Sequence, residues 1–327
     1  MTTPPGVNCV CRPVTTDNDT LVFEHPMLDH VKENPMFSCH RIFTLAAVAA
    51  LCLTSLSPAD SFIVDRGRGP VEVEVPDAYD PNVPTPLVVS LHGYGGTGQG
   101  QEDYLNFLPL HEEFNFLYIY PDGLRDSGGS QYWNGSDACC DFDNTNPDDS
   151  TYIRELIEAT IALANVDTKR IYIVGYSNGG FMANRMACEH ADLIAATANF
   201  AGSTWEDVSQ CQPSEPVHSL RIHGTFDFII FPGGGQIDGV PYPGAIESSL
   251  DWIGFNGCDL RIDASEPRRN FDWLVPGRET NIYKVESDCL PGGSVELWEM
   301  ENSLHFPVVT SDFSRSIVEY FYAHPKP

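Results

Sequence analysis

Ser177, Asp227 and His305 are the residues of this chain whose types, order and settings fit nucleophilic chemistry. Ser177 lies in IYIVGYSNGG, Ile171 to Gly180, where a β-branched and aromatic run breaks at Gly175-Tyr176-Ser177-Asn178-Gly179. An apolar-periodic segment with Phe181, Met182, Met186 and Ala187 follows. The pattern predicts a strand, a sharp turn and a helix, with the serine at the apex. A serine hydroxyl is a weak nucleophile unless it is exposed, met by a histidine and backed by a helix N-terminus. Glycines at 175 and 179 would let strand and helix approach and tolerate the turn.

On such an architecture the partners follow in the order serine, acid, histidine. Beyond Asp227 only His305 and His324 remain, and His324, in the terminal AHPKP, is expected to fray. His305 is therefore the expected general base. Asp227 follows the run Leu220-Arg221-Ile222 within HGTFD and is the expected acid, with Asp238, Asp251 and Asp259 less well placed. An acyl-transfer oxyanion needs preorganised N–H donors. The Asn178 amide would supply one and the Tyr94 amide, in His92-Gly93-Tyr94-Gly95-Gly96, the other, with the Tyr94 ring lining an acyl pocket. His92 and His223 precede glycines at strand ends and are read as packing or hydrogen-bonding residues. Trp133 and Trp205 are candidate walls for an aromatic or polymeric substrate.

These residues need a sheet to position them. Leu87 to Leu91, Phe114 to Tyr120, Ala195 to Phe200, Leu220 to Ile222 and Val295 to Met300 read as strands, mostly buried on both faces. Val71 to Val75 alternates as an edge strand with one wet face. Asp149 is expected to cap a helix whose stripe is Ile153, Leu156, Ile157 and Ile161. Phe313 to Tyr322 closes the chain as an amphipathic helix. Strands alternating with helices predict an α/β fold with a mainly parallel sheet, as one domain over residues 60–327.

The 18 basic and 46 acidic residues give a formal charge of -28. That balance disfavours nucleic acid, anionic membranes and phosphorylated substrates, and favours a neutral or apolar one. The lysines are Lys32, Lys169, Lys284 and Lys326, and so acidic, lysine-poor a surface suits a saline habitat. Residues 42–56, IFTLAAVAALCLTSL, read as the apolar region of a signal peptide, with Met36 as the start; residues 1–59 are set apart as extension and leader. Cys52 is the weaker reading, a lipid anchor. Export would leave Cys139, Cys140, Cys188, Cys211, Cys258 and Cys289 as disulfides. Cys258 is expected to pair with Cys289, and Cys139 and Cys140, as neighbours, with Cys188 and Cys211. The acidic stretch from Asp141 to Asn146 lacks the central glycine and terminal glutamate of a calcium loop, so no metal is expected. No cofactor is expected either.

Taken together, LHGYGGTG from Leu91, YPDG from Tyr120, WNGSDACC from Trp133, DDSTYI from Asp148, VGYSNGGFMANRMACE from Val174, HGTFD from His223 and NGC from Asn256 resemble a known group. It comprises secreted α/β-hydrolases: polyhydroxybutyrate depolymerases, feruloyl esterases and acetylxylan esterases of carbohydrate esterase family 1. The resemblance implies Ser177 as nucleophile, Asp227 as acid and His305 as base. It implies a secreted serine esterase acting on feruloyl or acetyl esters of polysaccharide or on polyesters; a monomer is expected. A peptidase on the same fold and a non-catalytic binding protein are the alternatives. Two departures stand out. Relatives commonly carry a glycine-rich run before the base and a tryptophan soon after it. Here Glu301-Asn302-Ser303-Leu304 precedes His305, and Phe306-Pro307 follows. The stretch from Leu260 to Thr280 has no counterpart in the group and reads as an insertion near the cleft.

Overall fold

The computed structural model describes residues 61–262 and 264–327. The proposed leader, Met36 and Cys52 lie outside them. An eight-stranded sheet forms the centre, built from β1 (Thr85–Leu91), β2 (Leu117–Ile119), β3 (Val166–Tyr176), β4 (Ala196–Phe200), β5 (His218–Gly224), β6 (Ala264–Arg269), β7 (Thr280–Val285) and β8 (Ser294–Met300). Their order across the sheet is β6-β7-β8-β5-β4-β3-β1-β2. The six strands from β8 to β2 are parallel; β7 and β6 add an antiparallel edge.

Alternation along the strands feeds two cores, one on each face. Leu87, Val89, Leu91, Ile171 and Ile173 meet α3 (Asp149–Leu163), α4 (Asn178–Glu189) and α5 (Ala245–Phe255) through Ile153, Leu156, Met182, Met186 and Trp252. Val88, Tyr172, Val174, Ala198, Leu220 and Ile222 face the other way. They meet α1 (Gly98–Leu105), α2 (Leu108–Phe114) and α6 (Ser311–Ala323) through Leu105, Leu110, Ile317 and Phe321. Burial on both faces is why these strands read as continuous apolar runs. Val71, Val73 and Val75 are buried, with Glu72 exposed between them, as alternation predicts. Pro70–Val73 pairs with Phe62–Asp65 in a separate hairpin. Among the described residues no helix is long and apolar enough to cross a membrane.

Several expectations need correcting. The run from Phe114 to Tyr120 is split: α2 ends at Phe114, Asn115 turns left-handed with φ 57°, and only Leu117–Ile119 is strand. The cap of α3 is Asp148, which accepts the Thr151 amide at 3.1 Å. Asp149 is instead buried as the first helical residue, accepting the Asn134 amide and pairing with Arg68. The C-terminus does not fray. His324 is buried, its Nδ1 hydrogen-bonds Tyr320 O at 2.7 Å, and the Lys326 amide donates to Lys169 O at 2.8 Å. The stretch read as an insertion supplies β6 and part of the connection to β7.

All six cysteines are bridged. Cys258–Cys289 is as expected, but Cys139 bonds Cys140 and Cys188 bonds Cys211. Adjacent cysteines were expected to be too constrained to join. A cis peptide bond between them brings their Cα atoms to 3.0 Å, and the side chains onto one side.

Candidate active site

Strand β3 delivers Ser177 at its C-terminal end. The residue holds φ 54° and ψ -117°, outside the regions a serine ordinarily occupies. Neighbouring sterics maintain it: a Cβ on Gly175 would overlap the Gly179 carbonyl, and one on Gly179 would overlap the Leu91 carbonyl. No side chain fits at either place, so strand and helix are nearly in backbone contact. The Ser177 amide donates to Phe200 O at 2.7 Å, tying the turn to β4.

The loops after β5 and β8 converge on this turn. Phe226 N donates to Ser303 O at 3.0 Å and Asn302 N to Thr225 Oγ1 at 2.8 Å. Asp227 and His305 thereby meet: His305 Nδ1 lies 2.7 Å from Asp227 Oδ2, and His305 Nε2 lies 2.9 Å from Ser177 Oγ. Asp227 and His305 are buried and Ser177 is partly exposed. Tyr176 braces the imidazole from beneath, its hydroxyl donating to His305 O at 2.9 Å and its ring 5.4 Å from the imidazole. A carboxylate on one ring nitrogen sets the tautomer and leaves the other free to take a proton from a serine.

Three hydrogen bonds and a second histidine surround the Asp227 carboxylate. The Ile229 and Ile230 amides reach Oδ1 at 2.9 Å each, and Oδ2 also lies 3.2 Å from His223 Nε2. Burial alone would raise its pKa; hydrogen bonds and charge interaction with His223 and His305 outweigh burial and hold it well below the usual carboxylate range. Burial pushes the His223 pKa down, which favours the neutral ring. Its Nε2–H faces Ile230 O at 2.8 Å, while Nδ1 accepts from the buried Arg221 at 3.4 Å. His92 is likewise a hydrogen-bonding residue: Nδ1 faces Gly93 O at 2.8 Å and Nε2 accepts the Gly123 amide at 2.9 Å.

The turn after β1 lies against the serine. A Cβ on Gly93 would meet Ser177 Cβ at 3.3 Å. The Gly95 and Gly96 amides are taken by Gln131 O and Gly93 O, so they are not available to a ligand. The Asn178 amide opens α4, where no helical turn provides an acceptor. A cavity of about 220 Å³, lined by His92, Tyr94, Tyr104, Tyr176 and Phe306, includes the chain neighbours of Ser177 and His305. The Tyr94 hydroxyl donates to Asp126, and its exposed ring packs edge-on to Phe142 at 5.2 Å.

Two expected walls are not walls. Trp133 is fully buried, its ring 5.1 Å from His92. Its backbone is held by Asn178, whose Oδ1 accepts the Trp133 amide at 2.8 Å and whose Nδ2 donates to Trp133 O at 2.7 Å. Trp205 is also packed in the core. Their apolar bulk is used for packing, the commoner fate of a tryptophan. The supporting roles of Tyr176, Arg221 and the Asn178 side chain were missed. A signal existed for Arg221, a charge between the apolar residues Leu220 and Ile222.

A mainly parallel sheet flanked by helices, with a serine on the turn after its long central strand, defines an α/β-hydrolase fold. The comparisons agree: residues 77–232 match the family described as phospholipase/carboxylesterase. Feruloyl esterase B of Piromyces equi is 28% identical over 243 residues, covering 72% of this chain and 42% of that protein. Acetylxylan esterase A of Aspergillus ficuum is 26% identical over 218 residues, covering 58% of this chain and 71% of that protein. This chain thus spans about two fifths of the first relative's length. The solved acetyl xylan esterase of Aspergillus awamori shares the fold with a TM-score of 0.58 and 18% identity, over 77% of this chain and 93% of that one.

Proposed function

We propose that the protein is a secreted serine esterase that cleaves carboxylic esters through an acyl-enzyme. The observation that carries this is the line from Ser177 Oγ through His305 to Asp227, with steps of 2.9 and 2.7 Å. His305 takes the serine proton as Oγ attacks the ester carbonyl, and Asp227 stabilises the imidazolium. The amides of Tyr94 and Asn178 hold the oxyanion, each worth about 3 kcal/mol at the transition state. His305 then protonates the leaving alcohol, and water, deprotonated by His305, releases the acid. The substrates are feruloyl or acetyl esters of polysaccharide, or polyesters. The paired cysteines and the apolar leader support export.

The test is labelling with a fluorophosphonate, followed by peptide mapping, beside a panel of methyl ferulate, p-nitrophenyl acetate and butyrate with matched amides. Label on Ser177 that disappears in Ser177→Ala, with esters cleaved and amides spared, is the expected result. Label on another serine would overturn the assignment. Amides cleaved as fast as esters would make it a peptidase, and absence of label and turnover a binding protein.

A further inference from the structure

Cys188–Cys211 and Cys258–Cys289 tie separated parts of the chain, whereas Cys139–Cys140 joins adjacent residues. It closes no loop, so the chain-entropy reason for a disulfide does not apply to it. Its surroundings supply another reason. Both cysteines are buried, and Cys139 Sγ accepts a hydrogen bond from Asn178 Nδ2 at 3.4 Å. The same side-chain amide donates to Trp133 O at 2.7 Å and accepts the Trp133 amide at 2.8 Å. Cys140 is tied to that carbonyl too, its amide donating to Trp133 O at 3.3 Å, and Cys139 O accepts the Gly135 and Ser136 amides at 2.8 and 2.7 Å. Asn178 is 1% exposed, so an acceptor lost there is not replaced by bulk water. The disulfide also shares a small buried cluster with Phe181, Ile230 and Tyr242. Phe181 belongs to α4, which Asn178 opens, and the Ile230 amide holds Asp227 Oδ1 at 2.9 Å.

The chemistry of sulfur accounts for a disulfide at this place. A disulfide sulfur carries no proton and can only accept, which is what Asn178 Nδ2 requires. A thiol or hydroxyl would bring a further proton into a buried space where Trp133 O already accepts two donors, and would need an acceptor of its own. We infer that the Cys139–Cys140 disulfide is a positioning group for the reaction: it fixes the Asn178 side chain, and through it the direction of the Asn178 amide. The inference rests on the esterase reading, in which that amide is an oxyanion donor, and adds to it the group that aims the donor.

Kinetics and stability together provide the test. Thermal midpoint, kcat and KM on p-nitrophenyl acetate are measured beside inhibition by phenylboronic acid, which forms a tetrahedral adduct on a reactive serine and so reads the oxyanion site. Cys139→Ala/Cys140→Ala is expected to lose about tenfold or more in kcat with KM within about twofold, and to bind the boronate more weakly by a similar factor. Cys140→Ala alone, which keeps the Cys139 sulfur as an untethered thiol, should fall as far, and it carries the comparison if the alanine pair does not fold. Cys258→Ala/Cys289→Ala is the reverse case: its thermal midpoint drops further, because the bond spans a separation of 31 residues, while kcat stays within about twofold. A parental kcat in the double variant or in Cys140→Ala would overturn the positioning role. So would an equal loss of kcat in the 258 and 289 variant, which would mark a general effect of stability. A parent protein that neither hydrolyses any ester nor binds the boronate would overturn the esterase reading instead.

Discussion

His223 Nε2 lies 3.2 Å from Asp227 Oδ2, the same oxygen that holds His305 Nδ1 at 2.7 Å. One carboxylate oxygen is therefore shared between a histidine aimed at the serine and one fixed from behind by Arg221. Replacing His223 by leucine removes the polar neighbour of a buried anion and leaves Ile230 O without its buried donor, a change worth about 1.5–3 kcal/mol, or roughly 10- to 100-fold. The loss is expected in kcat, with KM little altered, and His223→Gln, which can still donate, recovers much of it. Steady-state kinetics of the two variants provide the check, and equal losses in both would argue for a packing role alone.

Gly175→Ala places a methyl group on the Gly179 carbonyl, with backbone on both sides and no flexible side chain to yield. A destabilisation of roughly 3 kcal/mol or more is expected. Gly254→Ala is the matched control. Gly254 sits exposed in α5 with nothing within 4 Å of an added Cβ, so alanine should stabilise by about 0.5–1 kcal/mol. Urea midpoints would separate the two.

His218, at the start of β5, hydrogen-bonds Ser294 Oγ at 2.7 Å and faces the His324 ring. Burial, then the neighbouring His324, pushes its pKa down to about 3. The unfolded chain takes up this proton near pH 6.5, whereas the folded one resists until about pH 3. Stability present above pH 6.5 is thus lost as pH falls from about 6.5 toward 3, by at most about 5 kcal/mol from this residue. His218→Asn should flatten that decline in urea titrations run between pH 7 and 4. A decline equally steep in the variant would assign it to other groups.

The disulfides should differ in their effect. Cys258–Cys289 closes a separation of 31 residues and Cys188–Cys211 one of 23. Loop-closure entropy gives each about 3–4 kcal/mol against the unfolded chain. Cys139–Cys140 closes no loop, so a double serine variant there should shift the guanidinium midpoint far less than one at 258 and 289.

The centre of the sheet was legible because strands covered on both faces are written as apolar runs: Leu87 to Leu91, Ala195 to Phe200 and Val295 to Met300 lie within a residue or two of the observed strands. The meeting of Ser177, Asp227 and His305 was legible because each follows such a run at the same end of the sheet. The antiparallel edge was not. The stretch Ala264–Arg269 reads ASEPRR, without the apolar periodicity that would mark a strand, and its partner strand is half wet. Nor could composition say that Trp133 would be buried rather than displayed. That depends on Asn178, distant in sequence, meeting its backbone, just as the Cys139–Cys140 bond depends on a peptide geometry the residue names do not encode.

The bond pair between Asn178 and Trp133 also limits how the protein can vary. A side-chain amide that donates to one residue's carbonyl and accepts its N–H reproduces what a neighbouring strand would offer, at a single position. The loop bearing Trp133 is thus registered directly to the residue after Ser177. Asn178 would consequently be committed twice, by its main chain to the oxyanion of the proposed mechanism and by its side chain to the backbone of the buried Trp133. Grafting the 124–150 loop of a relative onto this scaffold would succeed only if the donor loop presents the same backbone pair to residue 178.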